Sequence, residues 1–216
     1  MAGKPDKSAP ERGTRENGRR MRSLLLDAAI PLFRENGLAG VSVAEIAEQA
    51  GAYPNQITYY FRSKEALFVE GACRNVLYLG RRMEEAAARA KDSESYTRAL
   101  VETVLGDDAL GLFVEALALT RRRQDLAPLV ARTFERLHAE GDRAYGDVQS
   151  RRGWSGGDAP RVSARRFWTL AIGIALREDA TGASDAEAVE EMITLLRTPA
   201  FASNAKRPRL NIVGEG

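Results

Sequence analysis

Several things are scarce in this chain, and each shortage removes a class of function. Among 216 residues there is one cysteine, Cys73, and one histidine, His138. A single cysteine forms no internal disulfide. Metal sites built on Cys/His clusters are excluded, and so is any proton relay needing two histidines. The one Gly-x-Ser-x-Gly match, Gly153 to Gly157, falls in a glycine-rich loop without the preceding strand that a nucleophile elbow needs, and no Gly-x-x-x-x-Gly-Lys-Ser/Thr loop or Gly-x-Gly-x-x-Gly turn is present. No catalytic residue and no cofactor are therefore expected. Long hydrophobic runs are missing too. The longest predominantly apolar uncharged stretch, Phe167 to Leu176, is about half of what a membrane span needs. The first residues are charged and lack the apolar core of a signal peptide. The expectation is a cytoplasmic protein without a membrane partner. One-sided charge is also lacking, since 32 basic residues face 30 acidic ones. The small excess is uneven. Residues 1–22 hold seven basic and three acidic groups, whereas residues 66–198 hold 19 and 21. The N-terminal end is thus a candidate arm for lying on phosphate, with Arg22 at its base, or else a solvated tail.

What the chain has is helix-forming sequence. Ala, Leu, Glu and Arg dominate, and β-branched residues never alternate with polar ones over a strand length. The expected fold class is all-α, with about nine helices. The spacing predicts a first helix over 19–36, with Leu25, Ala29 and Phe33 on one stripe and a kink at Pro31. A short helix over 43–50 opens on a capping box, Ser42 with Glu45, and Gly51 ends it. Pro54 suits the first turn of another short helix over 54–60. Ser63 caps a long helix over 64–90. Further helices are expected over 96–105, 109–122, 126–151, 161–180 and 185–197. The expected organisation is a flexible basic arm (1–18), a first helical unit (19–66), a second (67–198) and a flexible tail (199–216).

Two short helices around a tight glycine turn, with one polar outward helix, form a helix-turn-helix. The second helix must enter the major groove, so its outward residues should bond base edges or be small. Asn55, Gln56 and Thr58 meet that need: Asn and Gln bond adenine bidentately, and the Thr methyl meets a thymine methyl. Ile57 and Phe61 point back to the core. Tyr59 and Tyr60 suit phosphate contacts, and Lys64 adds a charge at the head of the next helix.

The stretch Ser42-Val-Ala-Glu-Ile-Ala-Glu-Gln-Ala-Gly51, then Ile57-Thr-Tyr-Tyr-Phe61-Arg-Ser-Lys-Glu65-Ala-Leu67, resembles the TetR family of one-component regulators. So does the lead-in, Leu25-Leu-Asp-Ala-Ala29-Ile-Pro-Leu-Phe33-Arg-Glu-Asn-Gly37. The likeness covers about residues 22–68. It implies a three-helix DNA-binding head, a long linking helix and a C-terminal bundle, with residues 19–66 as the DNA-binding unit and residues 67–198 as the ligand-binding and dimerisation unit. It also implies a homodimer on a palindromic operator, released by a small-molecule effector, most often as a repressor. By position, Ser42, Tyr59, Tyr60 and Lys64 match phosphate contacts, and Pro54, Asn55, Gln56 and Thr58 match base-facing positions. Four residues depart from the family pattern. Tyr53 stands where a Ser or Thr usually caps the recognition helix, which leaves Asn55 to take over the cap or Tyr53 to rest on the DNA backbone. Thr58 replaces a Tyr, Tyr60 replaces a frequent His, and Ala44 occupies a position where some members carry a base-reading Arg.

Past residue 70 the reading is coarser. The all-round apolar stretch 167–176 must be buried in a core or a subunit interface. With the last helix it resembles half of the family's four-helix dimer interface, and Leu170, Gly173, Ile174, Met192 and Leu196 are the candidate interface residues. Candidate effector-pocket residues are Phe113, Leu117, Phe134, Tyr145 and Trp168, each also explicable as plain core. Arg121 to Arg123 reads as a solvated helix end or as a hint of an acidic ligand, Cys73 as inert and His138 as a surface residue. Two other readings compete with a regulator. A helical enzyme or small-molecule binder with an incidental helix-turn-helix needs converging acid/base groups, which one histidine scarcely supplies. A DNA binder without sequence preference would be far more basic.

Overall fold

Four of the helices in this chain begin where the sequence supplies a side-chain cap. The computed structural model describes residues 9–154, 158–182 and 185–197. Among these residues it has nine α-helices and one 3₁₀ turn: α1 (Ala9–Gly40), α2 (Val43–Gln49), α3 (Pro54–Phe61), α4 (Lys64–Ala87), α5 (Ser93–Leu105), α6 (Asp108–Thr120), α7 (Ala127–Arg152), α8 (Pro160–Thr181) and α9 (Asp185–Arg197), with the 3₁₀ turn at Gln124–Leu126. Ser42, Ser63, Asp92 and Asp107 each accept a backbone N–H of the helix they precede, which satisfies donors that otherwise have no intrahelical partner.

Two expectations for the first helix are corrected. It starts at Ala9 rather than at 19, so residues 9–18 are helical and not a loose arm. Residues 1–8 of that arm, like the tail 199–216, lie outside the described residues. The backbone keeps helical dihedrals through Pro31, the position where a kink is expected. The backbone leaves helical geometry at Gly37 instead, where φ is 67°. Pro31 is exposed, so the Asp27 carbonyl that loses its partner lies on the side where water replaces the missing bond.

The core is continuous from the head into the bundle. Leu25, Ala29, Phe33, Ile46, Ile57 and Phe61 of α1–α3 are buried together with Leu67, Phe68, Ala72 and Val76 of α4. The α1–α4 crossing is close at Gly71, where a Cβ would meet Ile30 Cδ1 at 2.5 Å. Phe33 and Phe68 meet edge to face across it, ring centroids 5.2 Å apart. The far side of α4 is covered by α5, α6 and α7, and α8 and α9 close the bundle. Exposed ion pairs tie the two halves at their rim: Arg74 to Asp27 at 2.6 Å, Arg34 to Asp108 at 3.4 Å and Arg123 to Glu65 at 3.4 Å. Such pairs contribute little each.

The caps make stability acid-sensitive. Hydrogen bonds from the Ser42 hydroxyl and then from its N–H hold the Glu45 carboxyl below its ordinary value. Bonds from Ser95 do the same for Asp92. A group whose pKa is depressed by folding stabilises above the unfolded pKa, and that contribution is lost as pH falls through the folded one. The thermal midpoint should therefore fall on acidification below about pH 4, the ordinary carboxylate range. Ser42→Ala should cost about 0.5–2 kcal/mol at neutral pH and flatten that acid slope. Thermal melts of both proteins across pH check this.

Candidate DNA-binding surface

The scaffold of the candidate site is local. Ser42 Oγ accepts the Glu45 N–H at 3.1 Å, and Glu45 Oε2 accepts the Ser42 N–H at 2.7 Å. This reciprocal box sets the entry angle of α2. Ile46 and Ala47 anchor α2 from below. The turn needs Gly51, whose φ is 61°, and it closes with a bond from the Ala52 N–H to the Ala47 carbonyl at 2.8 Å. Ile57 and Phe61 then seat α3 on the same core. Arg62 ends α3 with a φ of 69°. A side chain is strained in that conformation, and the surrounding packing holds it there.

With α3 so held, its outer face is polar and open. Pro54, Asn55 and Thr58 are exposed, and Tyr53 and Tyr59 are 77% and 80% exposed. Large phenols left in water at the rim of a short polar helix fit contacts to a sugar–phosphate backbone. Tyr60 is half-buried, its ring edge-on to Tyr59 at 4.9 Å. Gly18 of α1 lies beside it, since a Cβ there would stand 3.8 Å from the Tyr60 ring. Ala44 is exposed on α2 and carries no hydrogen-bonding group.

The missing cap at Tyr53 is resolved by Gln56. Its Oε1 accepts the Tyr53 N–H at 2.9 Å, while its own N–H donates to the Tyr53 carbonyl. Asn55 does not take over the cap and stays free on the outer face. Gln56 is the glutamine of a capping box whose hydroxyl partner is absent, so its carbonyl oxygen is already bonded before any base is met.

Two expected cations are also engaged within the protein. Arg22 binds Glu70 with Nε at 2.8 Å from Oε1 and with Nη2 on Oε2. Its Nη1 donates to the Tyr60 carbonyl at 2.5 Å, and its guanidinium lies 4.5 Å from the Phe61 ring centroid. This arginine fastens α1, α3 and α4 together. Its charge has a bidentate partner within the head. Lys64 donates from Nζ to the Val41 carbonyl at 2.5 Å and clasps the α1–α2 turn to the head of α4. Neither pairing is readable from sequence, since the partners lie 48 and 23 positions away. Arg62, exposed at the end of α3, and Arg19 and Arg20, exposed on the early turns of α1, were not singled out by the sequence. Gly18, which precedes those two, lies beside Tyr60 of α3.

Comparison with known proteins agrees with this geometry. Residues 25–70 match the family described as bacterial regulatory proteins, tetR family, and residues 93–197 match the family described as bacterial transcriptional repressor C-terminal. A crystal structure assigned as a transcriptional regulator from Rhodococcus sp. RHA1 is similar at 39% identity and a TM-score of 0.74, over 83% of this chain and 97% of that one. The chain belongs to the TetR family. Two curated relatives match over shorter stretches. An HTH-type transcriptional regulator of the dhlA 5′ region in Xanthobacter autotrophicus is 30% identical over 102 residues, 45% of this chain. The HTH-type transcriptional regulator AcrR of Shigella flexneri is 36% identical over 59 residues, 27% of this chain. The matched stretch spans 48% of the first relative and 27% of the second. In this TetR-family transcriptional regulator the tetR-family match runs from within α1 through α2 and α3 into the first turns of α4.

In this TetR-family bundle the candidate effector residues do not form one group. Phe113 is fully buried and packs on Phe134, centroids 5.4 Å apart. Leu117 is half-buried beside the same core. Tyr145 and Trp168 instead line a slot together with Leu100 and Phe167. Helical spacing placed all five on inward faces and could not say which faces converge. The dimer candidates divide as well. Gly173 is exposed, and Leu170 and Leu196 are half-buried. Ile174 and Met192, at 5% and 0% exposure, belong to the protomer's own core. The apolar side chains left on the surface there are Val162, Leu176 and Leu195. His138 is half-buried beside Phe134 rather than free on the surface, with its pKa lowered by burial and then by Arg165. Burial pushes the Cys73 thiol up to about 11, which suits an unreactive core residue. Among the described residues no cluster could hold a metal ion, and no helix is long and apolar enough to cross a membrane.

Proposed function

We propose that the protein is a dimeric repressor that binds a palindromic operator and leaves it when a small molecule enters the bundle. The observation that carries this reading is the outer face of α3. Asn55 and Thr58 are presented to solvent between the exposed phenols of Tyr53 and Tyr59, on a scaffold that local caps and a shared core hold fixed. In this reading Asn55 and Thr58 read bases. Tyr53, Pro54, Tyr59 and Tyr60 line the backbone, with Ser42 and the α2 N-terminus on a further phosphate. Gln56 offers its remaining N–H groups. Arg22 and Lys64 act chiefly by holding the head together, and Arg62, Arg19 and Arg20 supply charge. The unit of residues 19–66 reads DNA, and the unit of residues 67–198 dimerises and senses.

The match of residues 93–197 to a repressor C-terminal family supports repression. The exposed row Val162, Thr169, Gly173 and Leu176 on one face of α8, with Leu195 of α9, supports a two-fold interface there, flanked by Leu170 and Leu196. Such symmetry matches two half-sites about 34–36 Å apart or a multiple of it.

Selection of bound DNA from random oligonucleotides tests the reading. The expected product is one inverted repeat, bound in a salt-dependent way. Recovery of unrelated sequences at low salt would reject it. Leu176→Arg should shift the protein from dimer to monomer in light scattering and weaken operator binding with it.

A further inference from the structure

Two spaces in the bundle share a wall made of Tyr96 and Tyr145. The inner one, between that wall and Met83 of α4, is a slot of about 40 Å³, which holds water but no drug-sized molecule. The outer one opens at the far end of the bundle from the DNA-binding head, among the ends of α5, α7, α8 and α9, with a volume of about 360 Å³. That is within the usual size of small-molecule sites, ~300–1,000 Å³. Its aromatic side is built around Tyr96, with Tyr145 at 6.4 Å and Trp154 at 6.3 Å, both edge-on. A flat ring has matching π surface to meet there.

The polar side is Arg166. Its Nη1 pairs with Asp158 at 2.8 Å and its Nη2 donates to the Leu196 carbonyl at 3.0 Å. Its Nε–H is buried with no acceptor among the described residues. A buried donor on a charged group is costly to leave unpaired, and the arginine that carries it is one of the residues lining the open cleft. The remaining charges are matched. Arg197 pairs with Glu94 at 2.8 Å, so the cleft asks for one acceptor atom more than for a net charge. Burial raises the pKa of both tyrosines, so each phenol keeps its proton.

We propose that this outer cleft is the effector site of the regulator, and that the effector is a planar aromatic compound bearing one oxygen acceptor, a carboxylate or a carbonyl, which bonds Arg166 Nε. Naming the ligand an effector rests on the regulator reading above. The shared tyrosine wall gives it a route to α4. A ring seated against Tyr96 and Tyr145 drives them toward the slot beside Met83, on the helix whose first turn carries the DNA-binding head.

Calorimetric titration of the full chain tests this with 2-naphthoate, the neutral ketone 2-acetonaphthone and oxygen-free naphthalene. Binding of at least one oxygenated probe, tenfold or more tighter than naphthalene, is expected. Their ratio tells carboxylate from carbonyl. Val148→Trp, which fills the cleft, should weaken that probe at least tenfold. Arg166→Lys keeps the charge beside Asp158 but removes the Nε–H, and should erase the preference over naphthalene. Because either variant can perturb folding, both are first checked for an unchanged melt and unchanged DNA binding. Absence of binding by both oxygenated probes, or binding that neither folded variant alters, overturns the proposal. DNA binding measured without any probe separates the two readings: operator binding with no aromatic binding sinks this one and leaves the regulator standing.

Discussion

Asn55→Ala combined with Thr58→Ala is expected to remove recognition of the operator while sparing the fold. Both side chains stand exposed on the outer face of α3, so the melt should barely move, as for surface substitutions in general. Each base-edge contact is worth about 1–3 kcal/mol of discrimination. The pair should therefore cost about 2–6 kcal/mol, on the order of 30-fold to 10⁴-fold in affinity for the selected operator. Affinity for unrelated duplex should persist, since it comes from phosphate contacts that these residues do not make. Tyr59→Ala should behave differently. At 80% exposure its phenol touches backbone in this reading, so both specific and non-specific DNA weaken together and the preference survives. Gln56→Ala is the less clean substitution, because it also removes the acceptor that caps α3 at Tyr53. Mobility shifts against operator and scrambled duplex at two salt concentrations separate the three. If the double variant kept its preference for the operator, α3 would not be the reading helix.

The second large effect is on stability. Phe68→Ala should destabilise the protein by about 3–5 kcal/mol, the range for deleting a large buried ring. Phe68 is 1% exposed and meets Phe33 edge to face. It sits where α4 leaves the head, so the cavity opens between α1 and α4 rather than at a forgiving margin. Against a typical total of roughly 5–15 kcal/mol, the loss is a large share. Phe68→Leu fills most of the same volume and should cost much less, below about 1.5 kcal/mol if the site repacks well. Urea denaturation of the three proteins measures both differences. Equal losses for Ala and Leu would mean that ring geometry, not cavity volume, holds the junction.

The two halves of the chain were unequally legible for one reason. From residue 42 to residue 63 the caps, the turn and the apolar faces of the two short helices are set by local spacing. Ser42 and Glu45 meet three positions apart, Gly51 turns the chain where it stands, and Ile57 and Phe61 are one helical turn apart on a single face. Short-range spacing can be read directly, and the caps, α2, the turn and α3 follow from it. So does the all-α class, because helical periodicity runs through nearly the whole chain.

Four features were settled only by the tertiary structure. Arg22 reads as a DNA ligand until Glu70 and the Tyr60 carbonyl arrive from α4 and α3. Lys64 reads the same way until the Val41 carbonyl is beside it. Ile174 and Met192 lie on apolar stripes, and a stripe shows that a face is covered without showing whether by the same chain or by a second copy. Phe113 and Tyr145 both point inward, but only the crossing of α5, α7 and α8 puts Tyr145 beside Tyr96, Trp154 and the open space next to Arg166. The sequence by itself determined the capping box at Ser42, the turn at Gly51 and the buried faces of α2 and α3, because those contacts lie within a few residues of each other. The tertiary structure decided which charges are paired, which apolar face stays open and where the bundle leaves a cleft, because those depend on helices brought together from distant parts of the chain.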